Sequence, residues 1–99
     1  MEHHVYFWLK EEHLNPTDQA TFEAALDKLS AISHISRGGW GKPAATEKRP
    51  VIEDSYTYAA YSSFENIADH DAYQVDPVHL EFIANYKDWW EKVTVMDCE

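Results

Sequence analysis

A single cysteine, Cys98, leaves the chain no internal disulfide, so its stability has to come from packing. Glycine is nearly as scarce: the three present, Gly38, Gly39 and Gly41, concentrate backbone freedom in one short segment. No apolar run approaches the 18 residues of a membrane span. The longest strand-like run, Val5–Leu9, is also too short for a signal-peptide core, and His3-His4 gives it no firm positive flank. Basic residues are few, eight against eighteen acids. The resulting net charge of −10 argues against nucleic acid or an anionic membrane surface as partner. A cytoplasmic protein is expected.

What remains is aromatic and acidic. Four Trp, six Tyr and four Phe, within a hydrophobic fraction of 44%, mark a folding chain rather than a disordered one. Ninety-nine residues make one domain, 1–99. The acids crowd the second half: residues 51–99 carry 11 acids and 2 bases, against 7 and 6 before them.

Val5-Tyr6-Phe7-Trp8-Leu9 is β-branched and aromatic and reads as a strand with no polar side. Asn15-Pro16 starts a helix whose apolar stripe is Phe22, Ala25, Leu26, Leu29 and Ile32. Ser36–Gly41 is a weak strand, and residues 42–52, with Lys42, Lys48 and Arg49, form a long solvated loop. Alternation returns over Asp54–Tyr61, a second strand, with Tyr56, Tyr58 and Ala60 on one face. Ser62 and Glu65 fit a capping box opening a short helix that reaches about Tyr73. Asp76-Pro77 restarts a helix carrying Val78, Phe82 and Tyr86, and a last strand follows from Trp90 through Val93 and Val95.

Strand, helix, strand, strand, helices, strand is the α+β, ferredoxin-like βαββαβ order, with the helices on one face of an antiparallel sheet. A first strand apolar on both sides then needs a second cover. A homodimer joined through sheet faces supplies it, giving a dimeric α/β barrel.

Most of the six histidines read as incidental. His13 and His34 fall at helix ends and His70 lies between Asp69 and Asp71 on an expected wet surface, while His3 and His4 point to opposite faces of a strand. No histidine pair has i,i+4 spacing and no cysteine joins them, so no metal site is expected. His79 differs. Placed third in a helix capped by Asp76, it meets the positive helix end, which disfavours imidazolium. The Pro77 break folds Tyr73 back toward it, pairing a neutral base with a phenol donor.

Across nearly its whole length the chain resembles the stress-responsive A/B barrel (Dabb) family. The resemblance is carried by His4–Lys10, Trp40-Gly41, Tyr56-Thr57-Tyr58, Phe64, the segment Tyr73 to His79 with Asp76-Pro77-Val78-His79, and Trp90–Val93 to Asp97. It implies a small homodimer of ferredoxin-like fold. The catalytic Tyr and His of an aldol-type polyketide cyclase in that family fall on Tyr73 and His79, and a His near its start falls on His4. By the same resemblance His79 is the base, Tyr73 the hydrogen-bond donor, and Asp97 the group orienting an imidazole, with no cofactor required.

Three functional readings follow. The first is a Dabb module of uncharacterised, stress-related role that binds a small, largely apolar or aromatic ligand. Its pocket would be lined by His4, Tyr6, Trp8, Phe22, Ile67, Phe82 and Trp90, although Tyr6 and Trp8 either shape that pocket or fill it. The second is a cofactor-free cyclase-like lyase or isomerase. The third is a cofactor-independent monooxygenase of a related dimeric fold. Phe7 and its strand neighbours are expected to close the dimer.

Overall fold

The apolar run at the start becomes strand β1 (Glu2–Leu9), in a computed structural model that describes residues 1–99. A short 3-10 turn (Glu11–His13) leads to α1 (Pro16–Ser30). Next come β2 (Arg37–Gly41), β3 (Tyr58–Ser63), α2 (Ile67–Gln74), α3 (Pro77–Tyr86) and β4 (Trp90–Cys98). The four strands form one antiparallel sheet in the order β2-β3-β1-β4, and the helices pack on one of its faces. This is the ferredoxin-like α+β architecture. β1 and β3 are the two inner strands, paired along both edges. No helix is long and apolar enough to cross a membrane.

Asn15 caps α1 by accepting the Asp18 N–H at 2.9 Å, with Pro16 in the first turn, where its missing N–H costs nothing. Phe22 and Leu26 are fully buried and Leu29 nearly so, giving the core its helical side, while Ile32, expected on the same helical stripe, lies just beyond the end of α1 and is buried from the turn that follows. Each contributes about 1.5–3 kcal/mol through burial. Tyr58 enters from β3, stacks on Phe22 at 5.3 Å between centroids and donates its hydroxyl hydrogen to Glu23 at 2.7 Å. That bond satisfies the polar end of an otherwise buried ring.

Three boundaries differ from the sequence expectation. β3 begins at Tyr58 rather than Asp54. Thr57 instead fastens the end of β1, its N–H donating to the Phe7 carbonyl (2.7 Å) and its hydroxyl accepting the Leu9 N–H (3.0 Å). Ser62 does not cap α2. It stays in the ladder opposite His3 and Gly38, and Asn66 caps the helix by accepting the Asp69 N–H at 2.9 Å. The strand pairing on both sides outweighed the local capping box. The long loop runs over residues 42–57 rather than 42–52.

Alternation along β1 sorts the sheet into two faces. His3, Val5 and Phe7 point under the helices, with Ser62, Ala60 and Tyr58 opposite on β3 and Asp97, Val95 and Val93 opposite on β4. His4, Tyr6 and Trp8 point to the other face with Tyr61 and Met96, which no helix covers. Phe7 is therefore core, in contact with Phe22, Phe82 and Trp90, and does not close a dimer as the sequence reading had it.

Candidate functional site

Tyr73 lies in the last turn of α2. Its carbonyl accepts the Asp76 N–H at 3.1 Å, a tight turn that reverses the chain into α3. Asp76 then caps that helix through the Val78 N–H at 2.8 Å, with Pro77 in its first turn. The reversal lays the His79 ring against Tyr73, centroids 4.7 Å apart and planes at 64°.

Their electrostatics diverge. Burial first, and then the nearby His3, hold the His79 imidazole below the ordinary histidine value, only partly opposed by the Gln74 backbone carbonyl and Asp76. Its Nδ1 is buried without a partner. Tyr73 is 3% exposed, and burial pushes its phenol above the ordinary range, so it remains a proton donor. At neutral pH the pair is a free base beside an O–H group.

Both rings line a cavity of about 200 Å³ between the sheet and the α2–α3 corner. Its polar groups are His3, Ser62, Tyr73, Gln74 and His79, and its apolar walls include Val5, Phe7, Phe82, Ile83 and Trp90. Val93 and Val95, 40% and 51% exposed, line it from the edge strand β4. A site near 150 Å³ accommodates benzene, so this volume suits a substituted ring or a short chain. A depression of about 290 Å³ between α1 and α3 is larger, but it is open and lined by Lys28, Glu81 and Asn85, with none of the histidines.

Among the expected site residues, Tyr73, His79, Phe82 and Trp90 meet at this cavity. Asp97 lies next to it and holds the buried His3, with Asp97 Oδ1 2.5 Å from His3 Nδ1, not His79. His4, Tyr6 and Trp8 do not line the cavity. The two-residue period that buries Phe7 turns them to the opposite face, where Tyr6 meets Tyr56 and Lys92 lies over Trp8. Phe22 packs wholly within the core, and Ile67, at the first position of α2, is 49% exposed. His70 is not on a wet surface: its side chain is 12% exposed and packs edge-on to His3 and Phe64. Sequence reading missed His3, Ser62, Gln74, Ile83, Val93 and Val95. Strand parity counted back from Phe7 was the available signal for His3.

The family model described as the stress responsive A/B barrel domain, Dabb, matches residues 1–99. Olivetolic acid cyclase of Cannabis sativa is 23% identical over 97 residues, covering 98% of this chain and 93% of that protein. A solved hydroxynitrile lyase from Passiflora edulis superposes with TM-score 0.73 at 26% identity, covering 96% of this chain and 87% of that one. A dimeric ferredoxin-like protein of unknown function from Thermobifida fusca gives TM-score 0.75 at 19% identity, covering 96% and 85%.

Proposed function

The chain belongs to the stress responsive A/B barrel (Dabb) family, and from that premise we propose that its sheet–helix cavity binds a small, largely apolar carbonyl compound with the oxygen toward Tyr73. The observation that carries this reading is the 4.7 Å pairing of Tyr73 with His79 at the polar groups of an apolar cavity. Ring-sized volume and apolar walls favour a short alkyl or aromatic ligand, and the phenol donor favours a carbonyl oxygen.

The depressed basicity of His79 supports a second step, proton transfer at carbon. Unprotonated His79 takes a proton from the carbon alpha to the carbonyl, and the C–H electron pair moves onto the carbonyl oxygen. The Tyr73 O–H hydrogen-bonds the enolate that forms. Returning the proton to carbon regenerates the starting groups, so the chemistry balances without an oxidant. The names of two relatives, a cyclase and a lyase, agree with a site that handles carbonyl compounds.

The second copy of the chain belongs to the same proposal. The open sheet face presents Tyr6, Trp8, Tyr61 and Met96, with Tyr61 48% and Met96 61% exposed, and pairing two such faces buries them.

Deuterium uptake at the alpha carbon of short β-diketones, followed by NMR in heavy water, tests the chemistry. Wild type accelerates the exchange and His79→Ala does not, while both keep the same fold and oligomeric state. Equal exchange by the two proteins refutes the catalytic step, and failure of any such diketone or its aryl analogue to bind refutes the ligand class.

A further inference from the structure

Histidine spacing along the chain excludes a local zinc motif, yet the fold gathers a comparable set from three distant elements. His3 comes from β1, His70 from α2 and Asp97 from β4, and one ligand atom from each lies within 4.8 Å of the others. We propose that these three side chains form a binding site for a divalent transition-metal ion of the zinc class.

His70 supplies the first argument. Its Nδ1 faces Asp71 Oδ1 at 3.1 Å, which places the ring hydrogen there and leaves the lone pair on Nε2. Nε2 is buried and has no partner in the protein. A buried acceptor without a donor costs free energy that an ion would recover. Asp71, on the outer side, then plays the part that a carboxylate commonly plays behind a metal-bound imidazole.

His3 and Asp97 supply the second. They are register partners across β1 and β4, so the ladder itself fixes one imidazole and one carboxylate side by side. Ligand bonds of about 2.0–2.2 Å set tetrahedral ligands about 3.4 Å from one another, so the 2.5 Å His3–Asp97 contact opens by about 1 Å while His70 moves in by up to about 1.4 Å.

Donor chemistry selects the ion. Two imidazoles and one carboxylate suit zinc, cobalt or iron, whereas magnesium and calcium prefer oxygen throughout. Three protein ligands leave a fourth position for water or a small molecule. A chain of net charge −10 attracts a cation to that position. Tyr73 and His79 contribute no ligand, although His3 lines the same cavity and packs edge-on to Tyr73 at 5.9 Å, so an ion held there would sit beside that pair.

Titrating the full chain with Zn²⁺, with the imidazole nitrogens followed by NMR and affinity by calorimetry, tests the assignment. One ion per chain is expected, with the His3 and His70 resonances moving together. His70→Ala and Asp97→Asn should each weaken binding at least about tenfold, and His4→Ala, on the opposite sheet face beside Glu2, should leave it unchanged. Shifts confined to His4, shifts spread over the exposed histidines, or a His70→Ala protein that binds like wild type would each overturn the proposal. The NMR arm needs no variant, so it decides even if a substitution prevents folding.

Discussion

Tyr73 and His79 belong to different helices, yet a single reverse turn, closed by the Asp76 N–H on the Tyr73 carbonyl, holds their rings 4.7 Å apart. The pairing is thus a property of the α2–α3 corner and not of two long helices that must be docked independently. Tyr73→Phe keeps the ring that packs on Phe64 and His3 and removes only the hydroxyl. If the hydroxyl serves an enolate, alpha-proton exchange falls about 10²–10³-fold, the usual cost of losing one such donor. Urea unfolding should shift little, because burial is what raises this phenol and no bond to a protein partner is lost. A large stability loss with unchanged exchange would make Tyr73 a packing residue.

The basicity of His79 sets a pH dependence. Burial and His3 lower it, with His70 adding to them, while the Gln74 carbonyl and Asp76 pull the other way; the net direction is down. A base whose folded-state value is depressed stays active to lower pH, so the acid limb of the exchange rate should bend below the ordinary histidine value near 6.5. Stability follows the same linkage. Between the folded and unfolded values the unfolded chain binds the extra proton, so this group favours unfolding as pH drops below about 6.5 and contributes no penalty above it. His79→Gln should remove that part of the acid-side decline, as measured by denaturant midpoints at about pH 7.5 and 5.5. An unaltered decline would show that His79 does not titrate in this window.

How much of this was legible in the sequence depended on the range of the signal. Asn15-Pro16 and Asp76-Pro77 are local, and both set helix starts where expected. The Tyr73–His79 turn is equally local, and it was legible for the same reason. Ser62 failed because its competitor is not local: strands on both sides hold it in a ladder. The choice of His4 over His3 also failed, although the information was present. Once β1 lies inside the sheet and Phe7 is core, the two-residue period assigns His3 to the helix side. The His3–His70–Asp97 grouping spans the chain from end to end, and no spacing rule reaches that far.

Close approach of two strands supplies a stability test. A Cβ on Gly38 would sit 2.8 Å from the Tyr61 carbonyl oxygen, a backbone atom that cannot swing aside, and 3.1 Å from an Ile35 methyl. Gly38→Ala should therefore destabilise by about 1–3 kcal/mol through overpacking, in spite of the entropy that alanine saves. Gly41→Ala meets nothing within 4 Å and serves as the control. Equal denaturation midpoints for the two variants would contradict the pairing of β2 with β3.

Phe7 and Trp8 are sequence neighbours that the pleat assigns to different jobs, so substitution should separate them cleanly. Phe7 is 3% exposed and touches Phe22, Phe82 and Trp90; Phe7→Ala leaves a void in the core and should cost about 3–5 kcal/mol. Trp8 lies on the uncovered face, its indole N–H donating to the Ser55 hydroxyl at 3.0 Å beneath the Lys92 ammonium. If two copies pair through this face as proposed, Trp8→Glu with Tyr61→Glu puts four carboxylates into the contact, and their mutual repulsion and desolvation oppose association. Light scattering after size exclusion should then report a single chain in place of two, while circular dichroism and binding in the cavity persist, because neither residue lines it. A double variant that remains dimeric would move the contact between copies to another surface, and a Phe7→Ala protein with undiminished stability would reverse the assignment of the two sheet faces.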